Sequence, residues 1–297
     1  MIIRNPDDVT EAALAVMGRT HDARLREIMT ALVSHLHGFV RDVNLTEAEY
    51  RQAAALLNEI GKQATDSHNE MVLMGGSLGL SALVCLLNNG DRGQHETSQS
   101  LLGPFWRMHS PRARNGDSIV RSETPGPVLF VNLRAQDGAG APIAGAEVDI
   151  WHSSPVGFYE QQDETQADMN LRGKFTTDAE GRVWFRTVKP AGYPIPTDGV
   201  VGRLLAAQGR HPYRPAHLHA LVFHEGFKTL TSQIYVDDDP YLDTDVQFGV
   251  TRALVGDYRR HDEAHPTSPD VTAPWYSLDY VFTLEPGEAR LPTPPIK

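Results

Sequence analysis

The feature that most constrains this chain is a change of texture near residue 90. Before it, apolar residues recur at intervals of three and four, as in Leu25, Ile28, Met29, Leu32, Val33, Leu36, Phe39 and Val40, which is helical spacing. Thr46 and Glu49 form a capping-box pattern ahead of Tyr50, Ala54, Leu56, Leu57 and Ile60, predicting a second helix. A third is expected over roughly residues 68–88. After residue 90, Pro and Gly punctuate short alternating runs such as 128–133 and 181–188, and 276–284 reads as a closing strand. Asp178 to Gly181 lies between two such runs and predicts a hairpin turn. The expected fold is therefore mainly β with an N-terminal α region. Residues 1–100 form a helical dimerisation and linker region, and residues 101–297 form an antiparallel β-sandwich that carries the chemistry on loops at one end.

Charge and cysteine content narrow the partners. The 297 residues hold 27 Lys+Arg against 38 Asp+Glu, a formal charge of −11, with no basic runs, so nucleic acid is not an expected partner. No apolar stretch approaches the ~20 residues of a membrane span, and the first residues lack the pattern of a signal peptide, so a cytoplasmic protein is expected. Cys85 is the one cysteine and builds neither an internal disulfide nor a thiolate metal site. It is expected to sit in the core. The helices carry more apolar positions than a solvated appendage needs, which predicts a homodimer.

Chemistry is concentrated around His217-Leu218-His219. On a strand, residues i and i+2 share a face about 7 Å apart, so both imidazoles can converge on one ion. The same spacing also suits two histidines on the polar face of a half-buried strand. His211, His224, His261 and His265 have no partner at this spacing and read as surface residues.

Three separated segments carry a resemblance. Residues 146–159, ending in Gly157-Phe158-Tyr159, residues 189–199 around Tyr193, and Arg214-Pro215-Ala216-His217-Leu218-His219 resemble the ligand segments of the intradiol ring-cleaving catechol dioxygenases. The resemblance spans most of the chain. It implies that Tyr159, Tyr193, His217 and His219 bind one non-haem Fe(III) per subunit, with a solvent hydroxide as fifth ligand. A cation deprotonates a phenol despite its free pKa of ~10, and two phenolates with hydroxide balance three positive charges. By the same resemblance Arg214 stabilises negative charge developing on the substrate ring. Gln233 orients ligands or oxygen species, and Tyr193 acts as a base toward the diphenol. Tyr213 and Tyr235 match no ligand motif. The implied reaction inserts both atoms of O₂ between the two hydroxyl-bearing carbons and yields a muconate- or maleylacetate-type diacid.

Residues 73–84, 101–105 and 193–199 look most like the hydroxyquinol (1,2,4-trihydroxybenzene) branch. That match places Leu73, Gly76, Leu102, Gly103, Pro104, Phe105, Ile195, Pro196, Arg214 and Val246 around the substrate. Val246 stands where catechol-specific members carry a larger aromatic residue, and Gly76 where the hydroxyquinol branch commonly has an aspartate. The alternatives are catechol or a chloro- or methyl-substituted catechol, and, without enzyme activity, a metal-free transthyretin-like binding module. The resemblance further implies a dimer contact through the N-terminal helices, enclosing a phospholipid or fatty chain.

Overall fold

The computed structural model describes residues 2–65, 69–89 and 97–293. The chain divides into two compact units, Met1–Glu59 and Ile60–Lys297.

In the first unit, α1 (Pro6–Met17) starts at Asn5, whose side chain accepts from the backbone N–H groups of Asp7 and Asp8. It packs on α2 (Ala23–Asp42), and Arg41 near the end of α2 reaches back to the Pro6 carbonyl at 3.0 Å and the Thr10 hydroxyl at 2.7 Å. The capping box predicted before α3 (Glu47–Lys62) is present: Thr46 N–H donates to Glu49 at 2.8 Å and Glu49 N–H to the Thr46 hydroxyl at 3.3 Å. Leu25, Ile28, Leu32, Leu36, Phe39 and Val43 follow one another at steps of three and four along α2. Their exposure runs from 46% to 52%, a continuous apolar stripe facing out.

In the second unit, the expected third helix is two: α4 (Glu70–Ser77) and α5 (Leu80–Asn89), bent by 76° at the break. Gly79, at φ +74, supplies the left-handed residue that stops α4, while the apolar periodicity runs on across the break and conceals it. Among the described residues no single helix is long and apolar enough to cross a membrane.

Two sheets form the sandwich. The strands are β1 (Val128–Asp137), β2 (Glu147–His152), β3 (Arg172–Thr176), β4 (Arg182–Val188), β7 (His217–Phe223), β8 (Leu230–Val236), β9 (Val255–Gly256), β10 (Tyr258–His261) and β11 (Trp275–Leu284), with short β5 (Tyr193–Pro194) and β6 (Tyr213–Arg214) outside them. The orders are β10-β11-β1-β4 and β3-β2-β7-β8-β9, and β5 pairs with β6. Pairing is antiparallel except between β1 and β11 and between β8 and β9. The turn at 178–181 forms, with Gly181 N–H donating to the Asp178 carbonyl at 3.0 Å, but it is no hairpin. Its flanking strands β3 and β4 belong to opposite sheets, so the turn carries the chain across the sandwich.

The core lies between the sheets, with Leu129, Val131 and Leu133 of β1 buried with Val148 and Ile150 of β2 and Leu218, Ala220 and Val222 of β7. Strand β7 is central and buried on both faces. Its even-numbered residues fill the core, which turns His217, His219 and Leu221 to the other face.

Candidate metal centre and active site

Register builds this face. Trp151 on β2 pairs with His219, which pairs with Gln233 on β8, while His217 pairs with Tyr235. Trp151 stacks on the His219 ring at 4.7 Å and 6°, fixing its plane. His217 Nδ1 lies 2.7 Å from the Pro215 carbonyl, leaving Nε2 to face the Nε2 of His219 at 3.1 Å. Burial first, and then the Arg214 cation, lowers the pKa of His217 to about 3. Burial and the neighbouring His217 likewise hold His219 well below the usual histidine range. Both rings are therefore neutral and keep lone pairs for an acceptor.

The two tyrosines arrive on loops that touch. A turn after β2, closed by Gly157 N–H donating to Ser154 at 2.9 Å, leads into Tyr159. Gly157 has φ +85, and a Cβ there would approach the Gly192 carbonyl to 3.1 Å and Tyr193 Cβ to 3.2 Å, so the loops close only over glycine. Tyr193 sits on β5, opposite Arg214 on β6. Its hydroxyl lies 3.5 Å from His217 Nε2, and its ring meets that of Tyr159 edge-on at 5.5 Å. The Tyr159 ring stacks on Phe105 at 4.3 Å. The Tyr159 hydroxyl is buried and has no hydrogen-bond partner, while burial and then the adjacent Tyr193 phenol push its pKa well above the ordinary phenol value.

This arrangement fits a metal. Among the described residues no three His, Cys, Asp or Glu side chains converge as ligands, so the phenols are the available anionic donors. Two neutral imidazoles and two phenols, one with an orphaned hydroxyl in a buried site, form a donor set suited to a hard trivalent cation. A cation replaces the missing hydrogen-bond partner and removes the phenol proton.

Arg214, 2% exposed, is gripped from several sides. Its guanidinium donates to Asp245 at 3.2 and 3.1 Å, to Gln233 Oε1 at 3.0 Å and to the Tyr235 hydroxyl at 2.8 Å. Burial opposes ionisation of Asp245, but Arg214 outweighs it and holds that carboxyl below the usual range. The charge on Arg214 is likewise kept despite burial. Gln233 spans this network and the histidines, donating to the Leu101 carbonyl at 2.6 Å with the same amide nitrogen that lies 3.3 Å from His219 Nδ1. Sequence reasoning missed Asp245 and Trp151, and read Tyr235 only as a strand residue without a ligand motif. Asp245 stands out from 38 acidic residues only once the fold brings it to Arg214.

The remaining predicted residues fall into two groups. Leu102 and Phe105 pack with Trp106, Trp151, Tyr159 and Tyr193, and a Cβ on Gly103 would meet His219 Cε1 at 3.0 Å. Leu73 packs with Ile195 and Val246, and buried Gly76 lies against Gln247. Pro104 and Pro196 are exposed. Cys85 is half-buried rather than a core residue, and His211, His224, His261 and His265, expected at the surface, are likewise half-buried.

Comparison with known proteins gives the family. Residues 101–285 match the Dioxygenase family and residues 22–95 the Catechol dioxygenase N terminus family. A hydroxyquinol 1,2-dioxygenase of Rhizobium sp. is 40% identical over 92% of this chain and 93% of its own. A catechol 1,2-dioxygenase of Candida albicans is 36% identical over 93% and 91%. The crystal structure of a hydroxyquinol 1,2-dioxygenase from Pseudomonas putida superposes with a TM-score of 0.88 at 33% identity, covering 95% of this chain and 99% of that one. Two family matches that together span both the helical and the sandwich portions, with relatives aligned along nearly their whole length, establish that this chain is an enzyme of the intradiol ring-cleavage dioxygenase family.

Proposed function

We propose that the protein cleaves hydroxyquinol, or a substituted hydroxyquinol, between its two vicinal hydroxyl carbons, with O₂ as co-substrate and a maleylacetate-type diacid as product. The observation that carries the reading is the meeting of His217 Nε2, His219 Nε2 and the Tyr193 hydroxyl beside the orphaned Tyr159 hydroxyl, in a buried site flanked by Arg214. Hydroxyquinol 1,2-dioxygenases among the relatives, at 40% and 33% identity, favour that diphenol over catechol.

In this reading Tyr159, Tyr193, His217 and His219 hold one ferric ion per subunit. When bound, the ion would supply a Lewis-acid centre that makes the diphenol ring reactive toward O₂. His217 and His219 donate as neutral imidazoles, and Trp151 keeps the His219 ring in its plane. Tyr193, on the short strand β5, would help hold the ion and would take a proton from the incoming diphenol. Tyr159, wedged against Phe105, remains in place. Arg214 lies ready to stabilise negative charge on the ring without reorganising, because Asp245, Gln233 and Tyr235 fix its guanidinium.

The apolar stripe of α2 supports a homodimer formed through the N-terminal helices, since an exposed face this long is otherwise a liability. Residues 1–100 then carry the pairing surface and residues 101–297 the metal chemistry, and a phospholipid or fatty chain held between the helices of two subunits belongs to the same reading. Mass spectrometry of the native protein reads both the subunit number and the lipid. A cytoplasmic location accords with a chain whose one cysteine requires no oxidising compartment.

The test is the visible spectrum of iron-loaded protein under anaerobic conditions, titrated separately with hydroxyquinol and catechol. A tyrosinate-to-iron band that shifts at much lower hydroxyquinol than catechol supports both the metal and the substrate. Equal shifts point to a permissive pocket and to substituted catechols. Absence of a band in iron-replete protein refutes the assignment of the ligands.

A further inference from the structure

Gly76 leaves a gap in the proposed pocket, and a neighbour fills it. A Cβ built on Gly76 would come to 3.2 Å from both the amide carbon and the amide nitrogen of Gln247. The Gln247 side chain therefore lies where a side chain at position 76 would project. It is half-buried, and its backbone is fixed by neighbouring hydrogen bonds.

Three contacts set its position. The Gln247 backbone N–H donates to Asp245 Oδ1 at 3.2 Å, so the same carboxylate that grips Arg214 anchors this residue. Arg210 donates to the Ser77 carbonyl at 2.6 Å and to the Val246 carbonyl at 3.0 Å, tying the residue after Gly76 to the residue before Gln247. Val246 N–H donates to the Tyr213 carbonyl at 3.2 Å, which joins the turn to the strand paired with Tyr193. Val246, the residue before it, packs with Ile195 and Leu73 in an apolar cluster. The amide thus stands next to an apolar cluster with its backbone anchored, a position from which it can offer a polar group to a ligand.

We propose that Gln247 is a specificity-determining residue whose side-chain amide hydrogen-bonds the third ring hydroxyl of the diphenol across the space left by Gly76. The inference rests on the diphenol reading above. It gives a polar function to a pocket whose residue 76 has no side chain. Recognition by a neutral amide places no second buried charge near Arg214 and Asp245. It also makes positions 76 and 247 interdependent, because a longer residue at 76 and the glutamine compete for one volume.

The test uses full-length, iron-loaded protein and compares kcat/KM for hydroxyquinol and for catechol. Gln247→Leu keeps much of the volume and removes both polar atoms. The hydroxyquinol-to-catechol ratio is expected to fall by about tenfold or more, because a hydroxyl bound in that pocket loses its partner. Gln247→Glu retains an acceptor and is expected to keep more of the ratio than the leucine variant. Gln247→Asn, one methylene shorter with the same chemistry, gives an intermediate ratio and serves if the leucine variant does not accumulate. The Gly76→Asp substitution is expected to cost activity in the wild-type background and to be tolerated better beside Gln247→Ala. A ratio unchanged in all the position-247 variants overturns the proposal, as does an equal loss on both diphenols. Failure of the parent reading is a different result: iron-loaded wild-type protein that cleaves neither compound.

Discussion

Asp245→Asn replaces one oxygen of a carboxylate that receives four hydrogen bonds. Two come from Arg214 at 3.2 and 3.1 Å and two from the backbone N–H groups of Gln247 at 3.2 Å and Gly249 at 2.9 Å. The new NH₂ faces donors wherever it is turned, and Arg214 is left as a buried cation without its counter-charge. Breaking a buried pair from one side costs about 3–5 kcal/mol, most of it the penalty of the stranded charge. Urea unfolding of the iron-free protein reads that loss directly. Arg214→Met should cost a similar amount, for the mirror reason. The double variant Arg214→Met/Asp245→Asn strands no ion and should be no worse than either single, a coupling of about 3–5 kcal/mol, the size of one single effect. In iron-loaded protein, Asp245→Asn should also reduce kcat by about a hundredfold, because the guanidinium loses the contacts that orient it. Additive single effects, or an Asp245→Asn cost below about 1 kcal/mol, would refute the view that this ion pair is both buried and strongly coupled.

Three further outcomes are expected. Tyr159→Phe removes an orphaned hydroxyl, so it should stabilise the metal-free protein by about 1 kcal/mol while weakening iron binding and the tyrosinate band; a less stable metal-free variant would contradict the assignment. Gly103→Ala places a methyl 3.0 Å from His219 Cε1 at a residue with φ +74, and should lower iron affinity and stability together, read by iron titration and thermal melting. His152 is fully buried between the Ser153 carbonyl and the Thr187 hydroxyl, and burial lowers its pKa to about 4. Because the unfolded chain binds the proton more readily, this contribution is complete above about pH 6.5 and is lost as pH falls toward 4. The loss amounts to about 3 kcal/mol, and a His152→Gln variant should show a flatter pH dependence of its melting temperature.

Much of the architecture could be read from periodicity, and the exceptions have physical causes. The capping box at Thr46 and the strands 128–137 and 275–284 are local patterns that local rules detect. The break at Gly79 escaped because the apolar spacing of α4 continues in phase into α5, and only the backbone angle reveals the turn. The turn at 178–181 was recognisable as a turn, but whether its strands join one sheet or two depends on partners far away in sequence. The histidine pair was visible from strand spacing. Tyr159 and Tyr193 became candidates only through resemblance, since a tyrosine in a loop has no periodic signature. Asp245 and Gln247 lay beyond both routes, because their significance comes from contacts with Arg214 and Gly76.

The turn that begins at Asp245 has a consequence for which side chains the enzyme can change. Its carboxylate holds backbone N–H groups at positions 247 and 249, so the residue between them, Phe248 at φ +56, hangs between fixed posts. Peptide N–H groups do the holding, and every residue except proline has one. Under the proposal above, a change of side chain at 247 alters what the pocket accepts while the guanidinium keeps its place. A turn held by its peptide groups thus separates the side chain it presents from the carboxylate it depends on.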